Sequence, residues 1–281
     1  MSVDLTGAAD LHVHFGPDAH RARSVDAFEA AREAAAAGHD AIVLKSHDFP
    51  TAALAWAVQQ DVAGIAVYGG ICCDREVGGL NAAAVEVALR LGARVVWLPT
   101  LSSRQDVENG VAARLGIPGP GLVVADADGA LLPETREVLD LVREHDAVLA
   151  TGHVSAREHF VVAADFAGRG RLLVTHATED LAGPRLTAAQ CRELAELGAW
   201  IELCAMTCIG ALATKSAGEM LATIRTVGTE RVTLGTDFGQ AVNPRPAAGL
   251  QTYADALFAE GLTESEIRTM ACKNPGRLLA R

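Results

Sequence analysis

Five polar residues stand out by type and spacing. His12 and His14 are one residue apart in Asp10-Leu-His-Val-His, His153 follows Thr151-Gly, His176 follows Val174-Thr, and Asp237 follows Gly235-Thr. Neutral imidazole nitrogens and carboxylate oxygens are ligands that suit zinc and related divalent ions. One such histidine alone is more often a core or surface residue, so the set gains force only if the fold gathers it. Lys45 and His47 form another i, i+2 pair in Val43-Leu-Lys-Ser-His. A lysine aimed into an interior is costly unless a carboxylate such as Asp74 or Glu202 pairs with it, or chemistry uses it.

The elements that must position these residues follow from the pattern of the chain. Short apolar or β-branched runs alternate eight times with longer alanine-rich stretches. Strands are expected at 8–15, 40–47, 64–72, 94–100, 147–152, 171–176, 199–204 and 231–236. Helices are expected between them, as at 25–37, 51–60, 81–91, 134–145, 155–167, 187–197 and 217–227, all rich in strong helix formers. Strand–helix alternation implies a parallel sheet covered by helices. Eight units predict a closed α/β barrel, (β/α)8, as a single domain over residues 1–281. No GxGxxG turn follows the first strand to support a Rossmann alternative.

On this frame all five residues fall at C-terminal strand ends, where such barrels gather catalytic groups. The i, i+2 spacing puts His12 and His14 on one strand face, the barrel interior. His20, His39, His145 and His159 fall in a loop, at helix ends or within a helix, and read as structural or solvated. The connection from about 101 to 133 is an insertion after strand four. In it, Leu122–Val124 and Ala130–Leu132 flank Asp128-Gly129, a hairpin signal. It lies over the barrel mouth, as either a functional loop or a surface decoration.

Composition narrows the function classes. The net charge is -11, and Lys and Arg are scattered without a basic stripe. That argues against a nucleic-acid partner and is better read as solubility. No apolar stretch reaches 18 residues, and the start lacks a secretory h-region. The six cysteines show no CxxC spacing and read as reduced thiols. The expectation is a cytoplasmic protein with a small-molecule substrate and no membrane partner; nothing locates an interface, and homo-oligomerisation stays open.

As a set, these residues resemble the amidohydrolase superfamily of metal-dependent hydrolases. Asp10-Leu-His-Val-His-Phe-Gly-Pro-Asp18 and Gly235-Thr-Asp-Phe238 are similar to an uncharacterised amidohydrolase-like family within it, over nearly the whole chain. The resemblance implies one or two divalent ions, zinc first and manganese as the alternative. It implies His12, His14 and Asp237 around the more buried ion, His153 and His176 around the second, and Asp237 as the group that takes a proton from the attacking water. Strand four, Val95-Val-Trp-Leu-Pro-Thr100, lacks the lysine that bridges the metals as a carbamate in many binuclear members. Lys45 is therefore expected to supply a carboxylated lysine from strand two; otherwise the site holds one ion.

The expected reaction is cleavage of an amide, lactam, lactone or related ester by a metal-activated water. The alternative is a mononuclear decarboxylase or deaminase, and the third reading a non-catalytic metal-binding barrel. His47 and Asp74 are expected to contact substrate or to hydrogen-bond behind the ligands. Arg245 is either an anion contact or a solvated loop residue, and Glu202 and Cys204 stay unassigned.

Overall fold

The computed structural model describes residues 2–280. The strands are β1 (Ala9–His14), β2 (Ala41–Lys45), β3 (Ala66–Cys72), β4 (Ala93–Trp97), β5 (Val148–Ala150), β6 (Arg171–Val174), β7 (Trp200–Cys204) and β8 (Val232–Gly235). They pair in chain order, every neighbour parallel. The barrel closes where the chain leaving β8 returns to β1: Asp237 N–H donates to the His12 carbonyl (3.0 Å) and His14 N–H to that of Phe238 (2.8 Å). This is the (β/α)8 barrel expected from the alternation.

The outer layer begins with α1 (Ala27–Ala36), α2 (Ala52–Asp61) and α3 (Ala82–Arg90). The insertion contributes α4 (Arg104–Glu108) and α5 (Val111–Arg114). Then come α6 (Pro133–Glu144), α7 (Ala156–Phe166), α8 (Ala188–Glu196), α9 (Ala217–Val227) and α10 (Pro246–Ala259), with α11 (Glu264–Arg268) and α12 (Asn274–Leu278) at the end. Capping boxes start α1 (Asp26/Glu29), α7 (Ser155/Glu158), α8 (Thr187/Gln190) and α9 (Ser216/Glu219), satisfying N–H groups the helices leave unpaired.

Strand alternation divides the core. Ile71, Val96, Leu98, Leu149, Leu172, Ile201 and Leu203 join helix residues Val138, Leu139, Phe166, Leu194 and Ile224 in one buried cluster. Leu11, Val43, Val95, Trp97, Val148 and Leu173 form another inside the barrel, joined by Leu278 and Leu279 from the C-terminal end. An apolar plug thus fills one end of the barrel and leaves polar side chains to the other. The pairing register shifts between Gly69 and Gly70 of β3 and, next to the site, between Asp10 and Val13 of β1. Such a bulge re-aims side chains. It leaves Leu11 in the interior cluster while His12 and His14 face the barrel mouth.

The insertion differs from a full hairpin. Ala125 and Leu131 make a single antiparallel bridge, tightened by Asp126, whose carboxylate accepts from the Asp128 and Ala130 N–H groups. The segment also carries the short helices α4 and α5, which the turn signal did not announce. Val111 and Ala112 of α5 form a small cluster with Leu101 and Ile117, separate from the main core.

Gly152, one residue before His153, has φ 62° and sits against the β4 exit; an added Cβ would lie 2.2 Å from the Leu98 carbonyl oxygen and 2.6 Å from that of Pro99. Gly152→Ala is expected to cost at least about 1–3 kcal/mol, through positive φ and collision with backbone. Urea denaturation checks it: an unchanged midpoint would mean the β4 exit yields freely.

Candidate metal centre and cleft

The innermost group is built by β1 and the turn after β8. His12 Nε2 lies 3.2 Å and His14 Nε2 3.1 Å from the same oxygen, Asp237 Oδ1. Asp237 reaches them through a left-handed backbone turn (φ 53°), a conformation Asp tolerates better than most residues. Behind His12, Glu202 on β7 accepts from Nδ1 (3.0 Å) and from the His176 backbone N–H (3.0 Å). Glu202 is buried and its other oxygen has no partner. The sequence left this residue unassigned. The signal available was a carboxylate pointing inward from a strand otherwise apolar.

Asp10 lies outside this ring. It ties β1 to β8, accepting from His12 N–H (3.1 Å), Thr236 N–H (3.1 Å) and the Thr236 hydroxyl (2.5 Å). Burial pushes its carboxyl up to about 6, against those hydrogen bonds.

Across the mouth, His153 and His176 turn Nε2 atoms toward each other at 2.8 Å. Asp106 of α4 accepts from His153 Nδ1 (2.6 Å) with one oxygen and from Gly183 N–H (2.8 Å) with the other. The insertion is therefore part of the site. It supplies the carboxylate that orients His153 and pins the loop after β6. Sequence reasoning missed Asp106 because its helix is short and its partners are 47 and 77 residues away. His176, at φ 24°, sits in sparsely populated backbone, as functional positions often do.

Lys45 ends β2, is 1% exposed, and makes no ion pair or hydrogen bond among the described residues. Neither Asp74 nor Glu202 pairs with it; its Nζ lies 5.6 Å from the centre of a Trp97 ring. His47 stacks on His14 (centroids 5.0 Å apart, planes 26°), and its Nδ1 is 2.7 Å from the Thr100 hydroxyl. Asp74 lies behind the cleft and does not line it. Its Oδ1 accepts from Thr100 N–H (2.8 Å) and Ser102 N–H (2.9 Å), and the Thr100 hydroxyl donates to Oδ2. It braces the loop that holds His47, the hydrogen-bonding alternative of the two expected for it. Arg245 also stays outside the cleft, pairing with Glu33 (2.6 Å) and Glu29 (3.4 Å) on α1.

His14, Lys45, His47, His153, His176 and Asp237 line one open cleft of about 570 Å³, its mouth included. His20, read from sequence as structural or solvated, also lines it and pairs with Asp48 (3.2 Å). The residues Cys72, Cys73, Cys191, Cys204, Cys208 and Cys272 are all free thiols.

Electrostatics make the donors ready for a cation. Burial holds His14, His47 and His176 well below the usual histidine range, reinforced by Arg23 at His14, Lys45 at His47 and His153 at His176. These imidazoles are neutral. Burial also pushes His12 down, but Asp237 and Glu202 outweigh it and raise it to about 9. Burial would raise Asp237, yet His12 and His14 bring it well below the usual carboxylate range. With Nδ1 donating to Glu202, neutral His12 would aim a lone pair at the Asp237 carboxylate; Nε2 is buried without a hydrogen bond. Two acceptors facing each other call for a positive charge between them. A divalent ion fits this donor set, and the Glu202–His12 and Asp106–His153 pairs are the carboxylate–histidine arrangement that orients metal ligands.

The chain has relatives in sequence and in structure. It belongs to a family of unknown function, DUF6282, matched over residues 7–202. No curated protein matches it in sequence. In structure it is similar to a 2,6-dihydroxybenzoate decarboxylase from Rhizobium (TM-score 0.63, 11% identity, 98% of this chain and 99% of that one). It is similar to a putative 2-pyrone-4,6-dicarboxylic acid hydrolase from Pseudomonas putida (0.60, 18%, 98% of each chain). It is also similar to a zinc-bound amidohydrolase from Burkholderia multivorans (0.60, 18%, 97% and 99%). Its structural neighbours are thus enzymes of the amidohydrolase superfamily, hydrolases and a decarboxylase among them. No helix among the described residues is long and apolar enough to cross a membrane.

Two measurements follow from this geometry. Asp106→Asn and Glu202→Gln should each weaken zinc binding about 10–100-fold in chelator competition, the usual effect of losing a carboxylate behind a ligand; unchanged affinity would make them structural. Because His12 holds its proton up to about 9, zinc must displace that proton at neutral pH. Affinity should therefore climb about tenfold per pH unit from 7 toward 9, and a flat profile would remove His12 from the ligands.

Proposed function

We propose that this chain is a metal-dependent hydrolase that cleaves an amide, lactam, lactone or related ester bond of a small molecule. The observation that carries the reading is the convergence of four imidazoles and the Asp237 carboxylate around the barrel mouth, two of the imidazoles braced by Glu202 and Asp106. His12, His14 and Asp237 would hold the inner ion, zinc before manganese, and His153 and His176 an outer one. A divalent ion there would polarise a carbonyl and furnish a nucleophile at neutral pH. Asp237 is ionised, lines the cleft and is suited to take a proton from water and return it to the leaving group. Lys45, uncompensated beside His12 and His14, is the residue whose carboxylation would complete a binuclear site. His47 lines the cleft, where it would contact substrate. We read the protein as a cytoplasmic enzyme with a small-molecule substrate and no nucleic-acid or membrane partner, homo-oligomerisation staying open.

One observation favours the mononuclear alternative, a decarboxylase or deaminase. Among the described residues of the cleft, His12, His14 and Asp237 bring three donor atoms within 4.8 Å of one another, whereas His153 and His176 have no third donor unless Lys45 is carboxylated.

Metal content separates the readings. Protein made with zinc and bicarbonate should carry about two ions per chain, falling to one or none in Lys45→Ala; a single ion indifferent to Lys45 would favour the mononuclear reading. Asp237→Asn should lower turnover of a responsive lactone or amide by about 10²–10⁴-fold, the scale of lost acid–base catalysis. Near-normal turnover would remove Asp237 from the proton path.

A further inference from the structure

Two kinds of side chain line the cleft. The loop after β1 brings Arg21 and Arg23 into its lining, which also includes Lys45 and His47. Apolar side chains line it as well: Leu101, Val111 and Leu115 of the insertion, with Leu181, Ala182 and Met206. Arg23 is already matched, its guanidinium on Asp18 at 2.5 Å. Arg21 is not: its side chain makes no ion pair or hydrogen bond among the described residues, although it stands at the entrance to a site containing Asp237. Partial burial and the neighbouring cations Arg23 and Arg114 push its pKa down, against the opposing pull of Asp237 and Asp18. This happens in a chain with a net charge of -11. A positive mouth on an acidic protein focuses the local field on anions.

Resting on the hydrolase reading, we propose that the substrate carries a carboxylate beside an apolar body. Arg21 grips the carboxylate at the mouth, and Leu101, Val111, Leu115 and Leu181 receive the apolar part. A planar guanidinium fork matches a carboxylate through two parallel hydrogen bonds. One unpaired guanidinium balances one negative charge. The apolar wall fixes which way the molecule enters, directing its remaining polar bond toward His12, His14 and Asp237. Recognition thus comes from the β1 loop and the insertion, and the reacting centre from the strand ends.

The test uses zinc-loaded full-length protein and three probes: 4-phenylbutyrate, its neutral amide 4-phenylbutyramide, and acetate. Titration calorimetry should show the phenyl acid binding at least about tenfold tighter than the amide, and acetate weaker than the phenyl acid by a similar factor. Arg21→Gln should bring acid and amide within about threefold with zinc content unchanged. Leu115→Gln should weaken acid and amide alike. Repeating the titrations after chelation separates guanidinium from metal, since a carboxylate held by Arg21 keeps its advantage without zinc. Equal binding of acid and amide to the wild type would overturn the proposal, as would a preference that survives Arg21→Gln or vanishes with zinc. A protein that binds no zinc yet keeps an Arg21-dependent preference would sink the hydrolase reading and leave the subsite standing.

Discussion

The mouth of this barrel depends on an electrostatic conflict held in place by packing. His12, fixed by Glu202, and Asp237, fixed by the turn after β8, direct two electron-rich atoms at one another 3.2 Å apart, with His12 fully buried and Asp237 at the edge of the cleft. Left alone, a contact of that kind would drive the chains apart or capture a proton, and the elevated pKa of His12 is the second outcome. The surrounding structure prevents the first. Asp237 donates its backbone N–H to the His12 carbonyl, so barrel closure and the conflict share the same residues. Stability and chemistry are therefore coupled here: the hydrogen bonds that close the sheet are the ones that aim the donors.

The support extends in layers. Apolar side chains and the C-terminal helix fill the opposite end of the barrel, which forces polar groups on strand interiors toward the mouth. Outside the ring of histidines, Glu202, Asp106 and Asp74 hold His12, His153 and the loop behind His47 by hydrogen bonds from buried carboxylates. Buried carboxylates are tolerable because they are partnered, and their cost is returned as fixed geometry. All three come from outside the β1 and β8 segments that carry the inner ligand set: Glu202 on β7, Asp106 on the insertion and Asp74 just after β3. The insertion joins the reacting centre to the apolar wall of the cleft, so a change in its packing would reach both.

Much of the architecture was legible in the sequence. Strand and helix repeat along this chain with periods that side-chain alternation and helix propensity dictate, and eight repeats leave little alternative to a closed barrel. His12 and His14 were recognisable because i, i+2 spacing survives in any strand. His153, His176 and Asp237 were recognisable because each directly follows an apolar run. The bulge in β1 was invisible: a shift of register depends on the partner strand, and no local propensity records it. Asp106 was likewise hidden in a segment read as loop and hairpin, and His20 and Arg21 looked like ordinary loop residues.

Local chemistry along the chain thus determined the order of elements, the strand ends and the inventory of donors, because periodicity and residue type are properties of neighbours in sequence. Only the tertiary structure decided which donors share an oxygen, which carboxylates stand behind them, and which cations remain unmatched. Those relations join residues as far apart as 12 and 202, 106 and 153, or 21 and 115, and they exist only after the barrel closes and the insertion folds over its mouth.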